Sequence, residues 1–399
     1  MTVMPTLDSL GLHPTGMLAT DHEVLAESAA VELAERYWAL TGSASRLATE
    51  KDDTFLVDAG TDGSYILKVS NASESAAEID FQCALMAHVA DSAVGELVPR
   101  LVSSVDGQTL VPVDGSDGQR LARVMTFMPG TPLDRCDSSA SQRECIGEVL
   151  AMLRHATRSF VHPADQRLLP WNVVTLPALE PLLDVIEDSA QRDLLARGLT
   201  RFNEVVAPVL PALRTQVLHN DFSKSNLIVD HDSPRFVTGV LDFGDSVKAP
   251  IAVDVSTALL NQLPSDLAEH PQDDIFMAGY DLLRGYLRYA DLTDLELEIV
   301  PHLAMGRTIT RALITNYRAA LIPGNVDYIL RNTEQGWAQL DWFLEREPAE
   351  ISALFERDNI IEEKRGNRRR RSWPDADEQR LRPRHGQQSG RGDSRPRRA

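Results

Sequence analysis

Apolar and polar positions follow two rhythms along this chain, and the changes of rhythm divide it. Over residues 21–40, Val24, Leu25, Val31, Leu33, Ala34 and Trp38 fall on one side of a helix, with Asp21 as N-cap and Gly42 as terminator. Strand-like runs follow at residues 43–48, 54–59 and 65–69, with the turn Gly60-Thr61-Asp62-Gly63 between the last two. The helical period returns over residues 75–89 through Ile79, Leu85, Met86 and Val89. Strands are expected again at residues 98–102, 109–113 and 120–126, before Met125 to Gly130 breaks the pattern. Beyond that break the periodicity is mainly helical. One face of residues 143–160 carries Ile146, Val149, Leu150 and Leu153; two helices are expected within residues 177–213, and others at 276–289, 294–316 and 325–344.

One stretch, residues 217–245, interrupts the helical part. Leu227, Ile228 and Val229 form an apolar run, Val237, Gly239, Val240 and Leu241 form another, and Asp232-Ser233-Pro234 turns the chain between them. Asp221 and Asn226 precede the first run; Asp242 and Asp245 follow the second. A hairpin brings its outer ends together, so Asp221, Asn226 and Asp242 are expected to converge. Three hard oxygen-bearing side chains in one cleft suit Mg²⁺. The spacing is H-x-D-x-x-x-x-N over His219 to Asn226, and Asp242-Phe243-Gly244 begins sixteen positions after Asn226. Protein kinases use this arrangement, with a catalytic-loop Asp, a metal-binding Asn and a metal-binding Asp of D-F-G. Such motifs count only in their strand context, and here the context agrees.

On these residues the chain resembles the aminoglycoside phosphotransferase and choline kinase superfamily of small-molecule kinases. Within it the likeness is to hydroxylysine kinase-like phosphotransferases, which carry H-N-D-x-x-x-x-N followed by V-x-G-[VI]-[IL]-D-F-G-D, as His219 to Asn226 and Val237 to Asp245 do. The likeness covers about residues 37–344. It implies an α+β, protein kinase-like two-lobe fold: a small antiparallel-sheet lobe over residues 21–127 that binds nucleotide, and a mainly helical lobe over residues 128–363 that holds the catalytic loop. In this reading Asp221 orients or deprotonates the substrate hydroxyl, and Asn226 and Asp242 hold Mg²⁺. Lys68 pairs with the nucleotide phosphates, the other reading being an edge-strand lysine facing water. Lys224 either neutralises charge on the transferred group or faces solvent. Thr126, Phe127 and Met128 form the hinge whose backbone pairs with the purine, and the donor is ATP or GTP. Kinases place a Glu on the helix after the lysine; here Gln82 stands at that position, with Glu78 and Asp80 nearby, and the partner of Lys68 stays open. The connection Glu50-Lys51-Asp52-Asp53 lacks glycine and fits either a hairpin turn or a cover for the phosphates. Asp254 is expected to cap or anchor the catalytic loop.

Composition adds boundaries to this picture. A chain of 399 residues with 43% hydrophobic and 25% charged residues is long enough for two lobes with their own cores. No apolar run approaches the ~18 residues that span a bilayer, and no Lys or Arg precedes Arg36, so the basic start of a signal peptide is missing. Cys83, Cys136 and Cys145 are scattered, which suits inert thiols in a reducing cytoplasm. The net charge is −19, yet residues 364–399 hold thirteen Lys and Arg against four Asp and Glu, so the rest of the chain carries −28. That acidic body speaks against nucleic acid as a partner. The Arg-rich tail is too polar to build a core and is expected to be disordered, and residues 1–20 read as a loose lead-in.

The expected partner is a small-molecule alcohol that bears an amine. The resemblance favours a hydroxylated amino acid such as hydroxylysine, with an aminoglycoside as runner-up and a non-catalytic pseudokinase as a third reading. Arg307 and Arg311 lie four apart on one helix face and suit a carboxylate clamp, or else they pair with the acidic surface. Asp245 is placed to meet an ammonium. Nothing in the sequence fixes an oligomeric state.

Overall fold

Alternating and β-branched positions put six strands into one antiparallel sheet: β1 (Ser43–Leu47), β2 (Asp53–Asp58), β3 (Ser64–Val69), β4 (Leu101–Val102), β5 (Val111–Gly115) and β6 (Gly118–Thr126). The spatial order is β1-β2-β3-β6-β4, with β5 paired to β6. The computed structural model describes residues 5–12, 24–47, 49, 52–115, 118–322 and 326–361. The Arg-rich tail, Asp21, Glu50 and Lys51 lie outside them.

Helix α1 (Glu27–Trp38) packs Ala30, Ala34 and Trp38 on one face of the sheet, against Phe55, Val57, Leu67, Val69, Ala122 and Val124, and these side chains make a small separate core. The helix starts later than the pattern predicts. The Leu25 N–H donates to the Asp53 carboxylate at 3.3 Å, so the chain stays extended up to Ala26. Asp53 is fully buried between Arg46 and Arg120, each at 2.7 Å. The carboxyl resists burial, and the two guanidiniums hold it below the usual range. Helix α2 (Ala76–Ala90) turns Phe81, Leu85 and Val89 into a second, larger core. Leu10 and Leu12 also sit in that core, so residues 5–12 are packed rather than loose.

Strand β7 (Thr131–Pro132) follows the break after β6 and leads to α3 (Ala140–Thr157). Of the two helices expected next, the first is a 3-10 segment over Val173–Val185, because Pro177 and Pro181 remove two backbone donors; the second is α4 (Ser189–Val205). Then come β8 (Thr215–Leu218), β9 (Leu227–Val229), β10 (Val237–Val240) and β11 (Val247–Pro250). Strand β9 pairs with both β10 and β7, and β11 pairs with β8, all antiparallel. Helices α5 (Ala252–Leu260), α6 (Met277–Tyr289), α7 (Asp294–Leu321), α8 (Val326–Leu330), α9 (Glu334–Leu344), α10 (Pro348–Leu354) and α11 (Arg357–Ile361) complete the larger lobe. The single helix expected over residues 325–344 is two, α8 and α9, and α7 runs past Asn316 to Leu321. Among the described residues no helix is long and apolar enough to cross a membrane.

Two contacts set the platform under residues 217–245. Helices α3 and α6 cross at Gly147 and Gly285; a Cβ on Gly285 would stand 1.9 Å from the Glu144 carbonyl oxygen. Asp254 on α5 is buried, and its carboxylate accepts the N–H groups of His219 at 3.1 Å and Asn220 at 2.6 Å. Asn220 takes the left-handed conformation at φ 64°, which turns the chain into the loop. Burial pushes the Asp254 carboxyl up, and the two backbone N–H groups it accepts oppose that shift.

Gly285→Ala is expected to lower stability by roughly 1–3 kcal/mol through overpacking. Urea unfolding checks this, and an unchanged midpoint would mean that α3 and α6 separate at no cost. Asp254→Ala is expected to lower stability by at least roughly 1–3 kcal/mol, since it strands two buried donors. The amides of His219 and Asn220 should also exchange hydrogen faster in that variant; protection equal to wild type would remove the anchor.

Candidate active site

The β9–β10 hairpin closes on itself at its mouth, where the Leu241 N–H donates to the Asn226 carbonyl at 2.8 Å. His219 braces the same point. Its Nε2–H donates to the Leu241 carbonyl at 2.8 Å, and its Nδ1 accepts the Asp221 N–H at 3.3 Å. Both ring nitrogens are thus engaged, which fixes the neutral Nε2–H tautomer and leaves neither nitrogen open to a ligand. Phe243 lies against the imidazole with ring centres 4.9 Å apart.

Asp221 and Asn226 meet directly. The Asn226 Nδ2 donates to the Asp221 backbone oxygen at 3.0 Å and to its Oδ2 at 2.8 Å. Both partners are acceptors, so the amide nitrogen faces Asp221 and Oδ1 remains for a cation. Asp242, with φ 56°, has a half-exposed carboxylate whose Oδ1 accepts the Gly244 N–H at 3.0 Å and stands 3.8 Å from Lys68 Nζ. Among the described residues no three His, Cys, Asp or Glu side chains converge as a metal cage. One carboxylate and one amide oxygen fit Mg²⁺, which binds through few protein ligands and takes the rest from phosphate and water.

Lys68 reaches the site from β3 and does not face open water. Its Nζ lies 3.1 Å from Asp52 Oδ2 as well as 3.8 Å from Asp242. Burial works to lower its pKa, but Asp242 and Asp52 outweigh it and hold the ammonium above the ordinary lysine value. None of the three residues left open as its partner takes that role. Gln82 accepts from Arg123 at 3.0 Å and donates to Glu74 at 3.3 Å, Asp80 meets His162 at 3.2 Å, and Glu78 acts on Arg167. Arg123 is the cross-strand neighbour of Lys68 and occupies the face of α2.

At the end of β6 the backbone is partly committed. Thr126 N–H donates to Arg100 O at 2.9 Å and Phe127 N–H to Ser64 O at 3.1 Å. Of the three hinge residues, Met128 keeps an N–H without an acceptor among the described residues. Gly130, at φ 134°, lies so close to β9 that a Cβ would stand 2.5 Å from Ile228 Cγ2. The hinge thereby rests on the hairpin whose ends carry Asn226 and Asp242.

On the other side of Asp221 lies α7. Arg307 Nη2 is 3.4 Å from Asp221 Oδ1, and its guanidinium stacks over Trp171 at 5.5 Å. Arg307 is 7% exposed, and its Nη1 is buried without a hydrogen-bond partner. Arg311, one turn on, donates to the Asn332 carbonyl at 3.4 Å. Burial and the charge of Arg307 push its pKa down to about 10, against the pull of Asp221. Lys224 lies apart from this group, with Arg143, Asp137 and Asp134 as its charge neighbours; burial lowers its pKa. Asp245 acts on Arg167. Sequence reasoning missed Arg167, whose guanidinium donates to the carbonyls of Gly244 and Ser246, and Trp171. Both come from the irregular segment after α3, where no periodicity marks them.

Comparison with known proteins gives the family and the fold. The profile of the phosphotransferase enzyme family matches residues 45–292. Hydroxylysine kinase of Mus musculus is 24% identical over 290 residues, covering 69% of this chain and 76% of that protein. Homoserine kinase of Brucella canis is 28% identical over 267 residues, covering 65% and 74%. Among solved structures, amicoumacin kinase in complex with AMP-PNP, Ca²⁺ and its ligand has a TM-score of 0.57 at 18% identity, over 78% of this chain and 93% of that one. The fold is that of the protein kinase-like phosphotransferases. With more than half of its length matched by the profile, the chain belongs to the phosphotransferase enzyme family.

Proposed function

We propose that this phosphotransferase moves the γ-phosphoryl group of ATP or GTP to the hydroxyl of a hydroxylated amino acid, with hydroxylysine as the leading acceptor. Asp221 receives the acceptor's hydroxyl and takes its proton, held in place by Asn226. Asn226 Oδ1 and Asp242 would hold Mg²⁺, which supplies neutralisation of the phosphate charge. Lys68 steadies the nucleotide phosphates, Met128 N–H meets the purine, and Thr126 and Phe127 shape the hinge around it. Lys224 keeps a supporting place on the catalytic loop. The free thiols Cys83, Cys136 and Cys145 suit a reducing cytoplasm.

The observation that carries the choice of acceptor is the arginine pair beside the catalytic aspartate. Burial, with the charge of Arg307 added, lowers the pKa of Arg311, and Arg307 Nη1 has no hydrogen-bond partner. Buried guanidinium donors call for an anion, and the planar fork of arginine matches a carboxylate. A hydroxyamino acid brings that carboxylate next to its hydroxyl, and an aminoglycoside has none. Asp245 would meet the amine end. The names of the hydroxylysine and homoserine kinases agree with a hydroxylated amino acid.

Turnover against hydroxylysine, homoserine and aminoglycosides, with MgATP and MgGTP in parallel, tests the reading; a preference for aminoglycosides would overturn the acceptor. Asp221→Asn should keep nucleotide binding and lose roughly 10²–10⁴-fold in turnover. Near wild-type turnover in the folded variant would remove Asp221 from the chemistry. Arg311→Ala should raise KM for the hydroxyamino acid roughly 10- to 100-fold, as expected for a lost charge-assisted bond, and change KM for its decarboxylated amine by much less. Equal effects on the two acceptors would rule out a carboxylate clamp.

A further inference from the structure

Lys68 sits in a kinase-like fold without the helix-borne carboxylate that would ordinarily fix it. On α2, Gln82 is buried and bonded to Arg123 and Glu74, and Asp80 turns to His162. The carboxylate nearest to Lys68 comes instead from the connection between β1 and β2. Asp52 is 4% exposed, and its two oxygens point to different partners. Oδ2 faces Lys68 Nζ at 3.1 Å, and Oδ1 accepts the Asn71 N–H at 3.2 Å. The backbone bond orients the carboxylate, and the carboxylate orients the ammonium.

Asp242 is the other carboxylate on Lys68, at 3.8 Å, but it is half exposed and is the residue read as a metal ligand. With its oxygens turned to a cation it no longer holds the lysine. Asp52 is buried and anchored to the backbone, away from the metal-facing side. We infer that Asp52 is the positioning residue of Lys68, taking from the β1–β2 connection the part that kinases assign to a Glu of the following helix. This rests on the reading of Lys68 as the phosphate-binding lysine.

The test is a double-mutant cycle on nucleotide kinetics and binding. Asp52→Asn keeps the acceptor for the Asn71 N–H and removes the charge. It should lower kcat/KM for the nucleotide roughly 10- to 100-fold, the range of a lost charge-assisted bond, and leave the acceptor KM within about twofold. In a Lys68→Met background the same substitution should have almost no further effect, because Asp52 acts through Lys68. Losses that simply multiply in the two backgrounds, or an acceptor KM that rises as much as the nucleotide KM, would overturn the inference. Should Asp52→Asn not fold, Asp52→Glu carries the test. Its longer arm moves the carboxylate and must raise the nucleotide KM, and an unchanged value overturns the inference. Calorimetry of MgATP and MgGTP with the same variants separates failures. If wild type binds nucleotide but Lys68→Met binds it equally well, the reading of Lys68 falls. If Lys68→Met loses affinity and Asp52→Asn does not, only the role of Asp52 falls.

Discussion

Strands β9 and β10 pair with a shift of register between Val237 and Gly239, and the pairing ends in the bond from Leu241 N–H to the Asn226 carbonyl. That closure sets Asn226 and Asp242 on opposite sides of a single backbone link, with His219 bonded to the same residue. A slip of one residue would separate Leu241 from Asn226 and move the polar ends of the hairpin apart. The register of the hairpin therefore sets the spacing of these side chains. Asp254 below, Arg167 beside and the hinge above each grip backbone rather than side chain, so the functional groups themselves stay available.

Charges at the site are arranged in pairs of unequal solvent access. Lys68 lies between a buried and an exposed carboxylate, and Asp221 between an amide and a buried arginine. In a body of net charge −28, local cations of this kind let a polyphosphate approach at all.

Much of this is legible in the sequence because the hairpin motifs combine fixed spacing with a strand rhythm. The six-stranded sheet, the hairpin and the long helices follow from period-2 and period-3.6 patterns. Failures occur where local pattern competes with something nonlocal. The start of α1 is set by a bond from Leu25 to Asp53 on another strand, and the 3-10 segment by two prolines inside an apolar run. Sequence reasoning looks for the partner of Lys68 along a helix, where kinases keep it. The β2–β3 register pairs Thr54 with Lys68, which places Asp52 two residues away on the same face, a diagonal neighbour. That relation is present in the sequence but visible only once the register is known. Trp171 and Arg167 have no such signal, since an irregular segment has no face to predict.

Arg307 and Arg311 belong to α7, a helix of 28 residues, while Asp221, Asn226 and Asp242 belong to one short hairpin and the loop before it. The groups that would choose the acceptor and the groups that would activate it are thus carried by separate pieces of chain, which meet where Arg307 lies 3.4 Å from Asp221. Under the proposed reading, exchanges on one face of α7 would redirect such an enzyme to a new alcohol while the hairpin is inherited unchanged. Divergence of acceptor would then need mutation of one helix face, not reinvention of a loop.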